Sequence, residues 1–153
     1  SRNVESDVEV NATPKARMVS KIKEALGGSV ADKTIAVLGL TFKPQTDDMR
    51  DAPSLAILPP LMDRGAQIRA HDPQGMEEAK LELPPGIHYA ESIEDAIQGA
   101  DAVVLMTEWN EYRGLDLGTL KESMNGNVFV DLRNVYEPES MRALGFEYSC
   151  IGR

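Results

Sequence analysis

The sequence has one cysteine, one tryptophan and two histidines, and aromatic side chains make up only 5% of its 153 residues. A lone Cys150 excludes an internal disulfide framework and is compatible with a reducing compartment. His71 and His88 are isolated, and no cluster of His, Cys and carboxylates has the spacing of a metal site. Cations are scarce too: Lys and Arg number 16 against 25 Asp and Glu, a formal net charge of −9. So acidic a chain repels nucleic acid and anionic lipid, and neither is expected as a partner; an anionic ligand must be met at a small cationic site. No apolar run reaches the length of a membrane span and no signal-peptide pattern opens the chain, so a cytoplasmic protein is expected. Because residue 1 is Ser rather than Met, with no turn signal ahead of the first helical pattern, the chain is expected to be a processed or excised piece.

What is present is an ordinary globular composition, 42% hydrophobic and 27% charged. A chain of this length makes one domain that buries roughly 70% of its unfolded surface. Thr13-Pro14 opens a helix to about Leu26, with Met18, Ile22, Ala25 and Leu26 on one face and Gly27-Gly28 as its stop. Thr34 to Thr41 and Asp101 to Thr107 are continuous apolar runs, the pattern of strands covered on both faces and hence of a parallel sheet. Further strands are expected at 67–73, 87–90, 127–132 and 146–151, and helices at 51–64, 75–81, 92–98, 116–124 and 137–144. Pro59-Pro60 should kink the 51–64 helix or end it early. This alternation of strand and helix predicts a Rossmann-like, doubly wound α/β fold, a mostly parallel sheet with helices on both faces.

In such a sheet ligands bind beyond the carboxyl ends of the strands. Three segments lie there. The first, Phe42 to Asp51, is long for a strand-to-helix connection. It has Gly39 alone where a dinucleotide fingerprint needs three glycines, so this domain is not expected to bind NAD in the Rossmann manner. It carries Lys43, and Arg50 just before a helix N-terminus, which can form a phosphate site or simply pair with Asp47, Asp48 and Asp51. The second segment places Trp109 at a strand end, where packing over the sheet edge is its plain reading. The third carries Arg133, which can reach the crevice of Lys43 or serve as the ion-pair partner of a nearby Asp. Cys150 reads as a buried structural thiol. An acidic receiver-type pocket at Asp47-Asp48 fails on placement, because these carboxylates lie well past the strand end.

The stretch Gly39-Leu40-Thr41-Phe42-Lys43-Pro44-Gln45-Thr46-Asp47-Asp48-Met49-Arg50-Asp51-Ala52-Pro53-Ser54 closely resembles the opening of the C-terminal domain of the UDP-glucose/GDP-mannose dehydrogenases. Thr107-Glu108-Trp109, Asp131-Leu132-Arg133-Asn134 and Gly145-Phe146-Glu147-Tyr148 match later landmarks in the same order, so the resemblance covers nearly the whole chain. It implies a nucleotide-sugar-binding domain at 30–153, preceded at 1–29 by the end of a central dimerisation helix and a linker. Family members oxidise the C6 alcohol of a nucleotide sugar in two NAD-dependent hydride transfers through a Cys-linked intermediate, and serve polysaccharide biosynthesis. The NAD domain and the catalytic Cys are absent from this chain, and Cys150 does not match that Cys, so the piece alone should be inactive. The resemblance further implies that Phe42, Lys43 and Arg133 contact the UDP-sugar, that Arg50 approaches NAD held by the other domain, and that the complete protein is a homodimer. Two residues depart from the common pattern: Leu132 where many members have Gly, and His71 where Tyr is common. UDP-glucose is the expected substrate. The alternatives are GDP-mannose, a UDP-N-acetyl-hexosamine, or a stand-alone, non-enzymatic binding module.

Overall fold

The computed structural model describes residues 14–151; the expected Thr13 cap and the rest of the first thirteen residues lie outside them. Helix α1 (Pro14–Ala25) buries Val19 and Ile22. It ends at the glycine pair, where Gly28 N–H returns to the Lys23 carbonyl at 2.9 Å. Then follow β1 (Thr34–Leu38), α2 (Pro53–Asp63), β2 (Gln67–His71), α3 (Met76–Glu82), β3 (His88–Tyr89), α4 (Ile93–Ile97) and β4 (Ala102–Leu105). The chain closes with α5 (Asn110–Arg113), α6 (Leu117–Ser123), β5 (Val128–Asp131), α7 (Pro138–Ala143) and β6 (Glu147–Cys150).

The six strands form one sheet in the order β3-β2-β1-β4-β5-β6, and every pairing is parallel. Since successive side chains of a strand point to opposite faces, each central strand feeds two cores. Ile35, Val37, Ala102, Val104, Val128 and Val130 join the core shared with α1, α2 and α3. Ala36, Leu38, Val103, Leu105 and Phe129 join the core shared with α4 to α7. The continuous apolar runs are thus explained by burial on both sides, and the expected doubly wound sheet is the observed one. From β1 the chain winds outward through β2 and β3, then returns to β4 and winds the other way. The topological switch point lies between β1 and β4, whose register pairs Leu38 with Leu105.

Three local expectations are corrected. Helix α2 does not end early at Pro59-Pro60 but runs on to Asp63. The two prolines deprive only the Leu55 and Ala56 carbonyls of their donors, one half-buried and one exposed residue, while Ile57, Leu58 and Leu61 are fully buried and hold the helix to the core. Strict alternation fails between β4 and β5, where α5 and α6 follow one another. The strands also stop earlier than their apolar runs, β1 at Leu38 rather than Thr41.

Candidate functional site

Strand β1 stops because its exit is held by side chains instead of by neighbouring strands. Gly39 has φ +96, and a Cβ there would stand 2.5 Å from the Thr107 Cβ, so only glycine lets β1 and the end of β4 approach so closely. Beyond it, Asp72 Oδ2 accepts the Leu40 N–H at 2.7 Å, the Thr41 N–H at 3.2 Å and the Thr41 hydroxyl at 3.3 Å. Its other oxygen accepts the N–H groups of Gln74 and Gly75 at 3.0 and 2.7 Å. Ser54 donates to the Leu40 carbonyl and Thr107 to the Thr41 carbonyl, both at 2.7 Å. The backbone is therefore fixed as far as Thr41. The next two side chains are turned outward: Phe42 is 46% exposed, a large value for such a ring, and Lys43 is exposed.

The exit of β5 is built in the same way. Buried Asp131 accepts the N–H groups of Arg133, Val135 and Tyr136 at 3.0, 2.8 and 2.9 Å and the Tyr148 hydroxyl at 2.7 Å. Asn134, at φ +56, exchanges two hydrogen bonds with Ile151 at 2.9 and 3.0 Å, which locks the turn that carries Arg133. The Arg133 side chain leans back over β4, where Nη2 donates to Glu108 Oε2 at 3.0 Å. Burial pushes the Glu108 carboxyl up, but the Arg133 hydrogen bond, a bond from its own backbone N–H and the charges of Arg133 and Arg113 together outweigh it, so the group is held below its ordinary range. Glu108 Oε1 and Trp109 Nε1 are buried without a hydrogen-bond partner among the described residues. Trp109 is 1% exposed and belongs to the core, as its plain reading requires.

Phe42, Lys43 and Arg133 thus leave the carboxyl ends of β1 and β5, on either side of β4 and beside the switch point. Arg50 stands apart. It pairs with Asp48 as a fork, Nε to Oδ1 at 3.0 Å and Nη2 to Oδ2 at 2.9 Å, with its own side chain 89% exposed. The Arg50 hydrogen bond holds the Asp48 carboxyl down at about 2. This pair rims an open groove of about 520 Å³ against Leu55 and the acidic Glu78 and Glu82. The ion-pair reading therefore holds in this geometry for Arg50 with Asp48, while Arg133 also pairs, but with Glu108 rather than with an Asp. Lys43 makes no such pair among the described residues.

These residues do not fit a dinucleotide held in the Rossmann manner. The single glycine of the β1 exit is filled against Thr107, the loop backbone is bonded to Asp72 and Ser54, and α2 begins at Pro53 after an uncapped Ala52. Among the described residues no group of three or more His, Cys, Asp and Glu could hold a metal ion, and no helix is long and apolar enough to cross a membrane. Cys150 is buried in the sheet core. His71 is tied through Nδ1 to the Tyr112 hydroxyl at 3.0 Å, and burial holds the imidazole below its usual range.

Sequence reasoning singled out the cations but missed Asp72, Asp131 and Glu108, the carboxylates that set where those cations stand. Glu108 and Asp131 had one visible signal, their position at the end of an apolar run, whereas Asp72 follows the mixed stretch Gln67-Ile68-Arg69-Ala70-His71.

The family model for the UDP binding domain of the UDP-glucose/GDP-mannose dehydrogenases matches residues 36–138, from β1 to the start of α7. The chain belongs to this family. The UDP-glucose 6-dehydrogenase of Rhizobium meliloti (strain 1021) is 47% identical over 152 residues, which cover 99% of this chain and 35% of the relative. The UDP-glucose 6-dehydrogenase YwqF of Bacillus subtilis (strain 168) is 42% identical over 150 residues, 98% of this chain and 34% of the relative. Among solved structures, a UDP-glucose dehydrogenase from Pyrobaculum islandicum superposes with a TM-score of 0.72 at 30% identity, covering 93% of this chain and 30% of that one. An NDP-N-acetyl-D-galactosaminuronic acid dehydrogenase from Methanosarcina mazei gives 0.75 at 29% identity, covering 91% and 28%. The chain therefore spans about a third of the length of the dehydrogenases it matches, and corresponds to the UDP binding domain of the family.

Proposed function

We propose that this chain is the nucleotide-sugar half-site of a UDP-glucose 6-dehydrogenase, and that the complete protein converts UDP-glucose to UDP-glucuronate with two NAD as a cytoplasmic homodimer. One observation carries the reading: two cations and an exposed ring, Lys43, Arg133 and Phe42, issue from rigidly held strand exits beside the switch point of a parallel sheet. That is where an open α/β sheet takes its ligand. Lys43, with no salt-bridge partner among the described residues, offers its charge to a diphosphate. Arg133 uses one N–H on Glu108 and keeps the rest of its planar fork for phosphate oxygens or sugar hydroxyls. Phe42 supplies an apolar face to the base or the sugar. Arg50, itself exposed, can exchange its half-buried partner Asp48 for the cofactor at little cost, because a surface ion pair is worth only about 0 to 1 kcal/mol.

NAD supplies the hydride acceptor and is held mainly by the part of the protein outside this chain. This domain binds and orients the sugar nucleotide, and by itself it is inactive. The resemblance to UDP-glucose 6-dehydrogenases at 47% identity supports glucose as the sugar. The fold likeness to the Methanosarcina mazei enzyme keeps an N-acetyl-hexosamine as the second reading. Calorimetric titration of the chain tests the half-site. Saturable heat is expected with UDP and UDP-glucose and none with NAD. Heat with NAD alone, or with no ligand, would overturn it.

A further inference from the structure

Arg133 stands on an exposed turn after β5, where an unrestrained arginine would sample solvent on every side. Its one ion-pair partner among the described residues, Glu108, follows β4, so the contact draws the guanidinium inward, toward the switch point and away from β6. Both backbones are anchored independently of this contact: residue 133 by Asp131 and Asn134, and the β4 exit by the Thr107 bond to Thr41 and by buried Trp109. The Glu108 side chain is 25% exposed with one oxygen sealed from solvent, whereas that of Arg133 is 38% exposed. The carboxylate is thus the fixed member and the guanidinium the steered one.

We propose that Glu108 is a positioning residue that holds the Arg133 guanidinium over the end of β4, so that its remaining N–H groups are already set for the diphosphate of the sugar nucleotide. The inference rests on the half-site reading above. Its physical content is preorganisation: a long side chain ordered before the ligand arrives need not lose its rotamer freedom at binding. A carboxylate so close to an anion site has an opposing effect as well, because without Arg133 to neutralise it, Glu108 repels the ligand. The two effects separate by sign. With Arg133 present Glu108 aids binding, and with Arg133 absent it hinders it.

The test is a double-mutant cycle on the chain, with UDP as the probe and Glu108→Ala, Arg133→Ala and the double variant as its corners. Glu108→Ala alone is expected to weaken UDP binding about five-fold. In the Arg133→Ala background the same change is expected to leave affinity unchanged within about two-fold or to improve it. Glu108→Gln, which keeps a carbonyl acceptor and the shape of the side chain, should recover part of the loss. An equal weakening by Glu108→Ala in both backgrounds would mean that Glu108 only supports the fold, and would overturn the inference. Guanidinium 15N NMR of the ligand-free chain reads the clamp directly. Slow rotation about the Arg133 Nε–Cζ bond is expected in the parent and fast rotation in Glu108→Ala; fast rotation in both would also overturn it. UDP binding by the parent that is indifferent to Glu108→Ala would sink this inference alone. Absence of UDP binding by the parent would sink the half-site reading and, with it, the ligand-binding role assigned here to Glu108.

Discussion

Asp72 Oδ2 lies 2.7 Å from the backbone nitrogen of Leu40, so a carboxylate at the end of β2 decides where the chain leaves β1. Asp72, Leu40 and Thr41 are all buried, and five donors converge on the one carboxylate. Removing it strands several N–H groups away from water. Asp72→Ala is expected to cost about 3 to 5 kcal/mol in urea unfolding, since each orphaned buried donor is worth about 1 to 3 kcal/mol. A loss below about 1 kcal/mol would show that the loop finds its bonds elsewhere.

Gly39 presents a steric version of the same constraint. Its φ of +96 is unfavourable for any L side chain, and the added methyl would overlap both the Cβ and the backbone nitrogen of Thr107 at 2.5 and 2.6 Å. Gly39→Ala should therefore destabilise the domain by about 3 kcal/mol or more and move the β1 and β4 exits apart. Thermal unfolding reads the first effect, and loss of UDP binding beyond what the lost stability explains reads the second.

Lys43 tests the charge argument. Lys43→Ala should weaken UDP binding by about tenfold or more, because a hydrogen bond to a charged group is worth about 1.5 to 3 kcal/mol. In the complete enzyme the same change should lower kcat/KM about ten- to a hundredfold. The salt dependence of UDP binding should flatten in the variant, as one cation no longer contributes. Unchanged affinity at low salt would remove Lys43 from the site.

The Asp48–Arg50 pair has a definite pH signature. Asp48 is held at about 2 against an ordinary value of 3.8, chiefly by its hydrogen bond from Arg50. The folded value lies below the unfolded one, so whatever stability the pair gives is complete above about pH 4 and fades as pH falls toward 2. Arg50 is exposed and Asp48 only half-buried, so this contribution is small and salt-screened. Arg50→Ala should raise the Asp48 titration, though short of 3.8, because the backbone N–H of residue 50 donates to the same carboxylate at 2.9 Å. Carboxyl 13C NMR checks this; a midpoint still near 2 would assign the whole shift to the backbone.

The parallel, doubly wound sheet was legible in the sequence because burial on both faces writes itself as unbroken apolar runs at 34–41 and 101–107. Cations near strand ends were legible for the same reason, since the runs mark where strands stop. Less legible was what interrupts a run: Leu40 and Thr41 continue the strand pattern before them, but their N–H groups go to a carboxylate thirty-odd residues away rather than to a neighbouring strand. The survival of α2 across Pro59-Pro60 was hidden as well, because three fully buried residues outweigh two lost backbone bonds only when the sheet beneath is in place. Beyond standing at the end of an apolar run, Glu108 gave no local signal of its role. Its partner lies 25 positions on, and only the adjacency of β4 and β5 unites them.

The most direct test of the central claim is a residue-resolved 1H–15N NMR titration of the chain with UDP. Saturable shifts are expected, confined to the exits of β1, β4 and β5, with Phe42, Lys43, Glu108 and Arg133 among the largest and the groove beside Arg50 little affected. Shifts centred on that groove or on α1, or none at all, would contradict it.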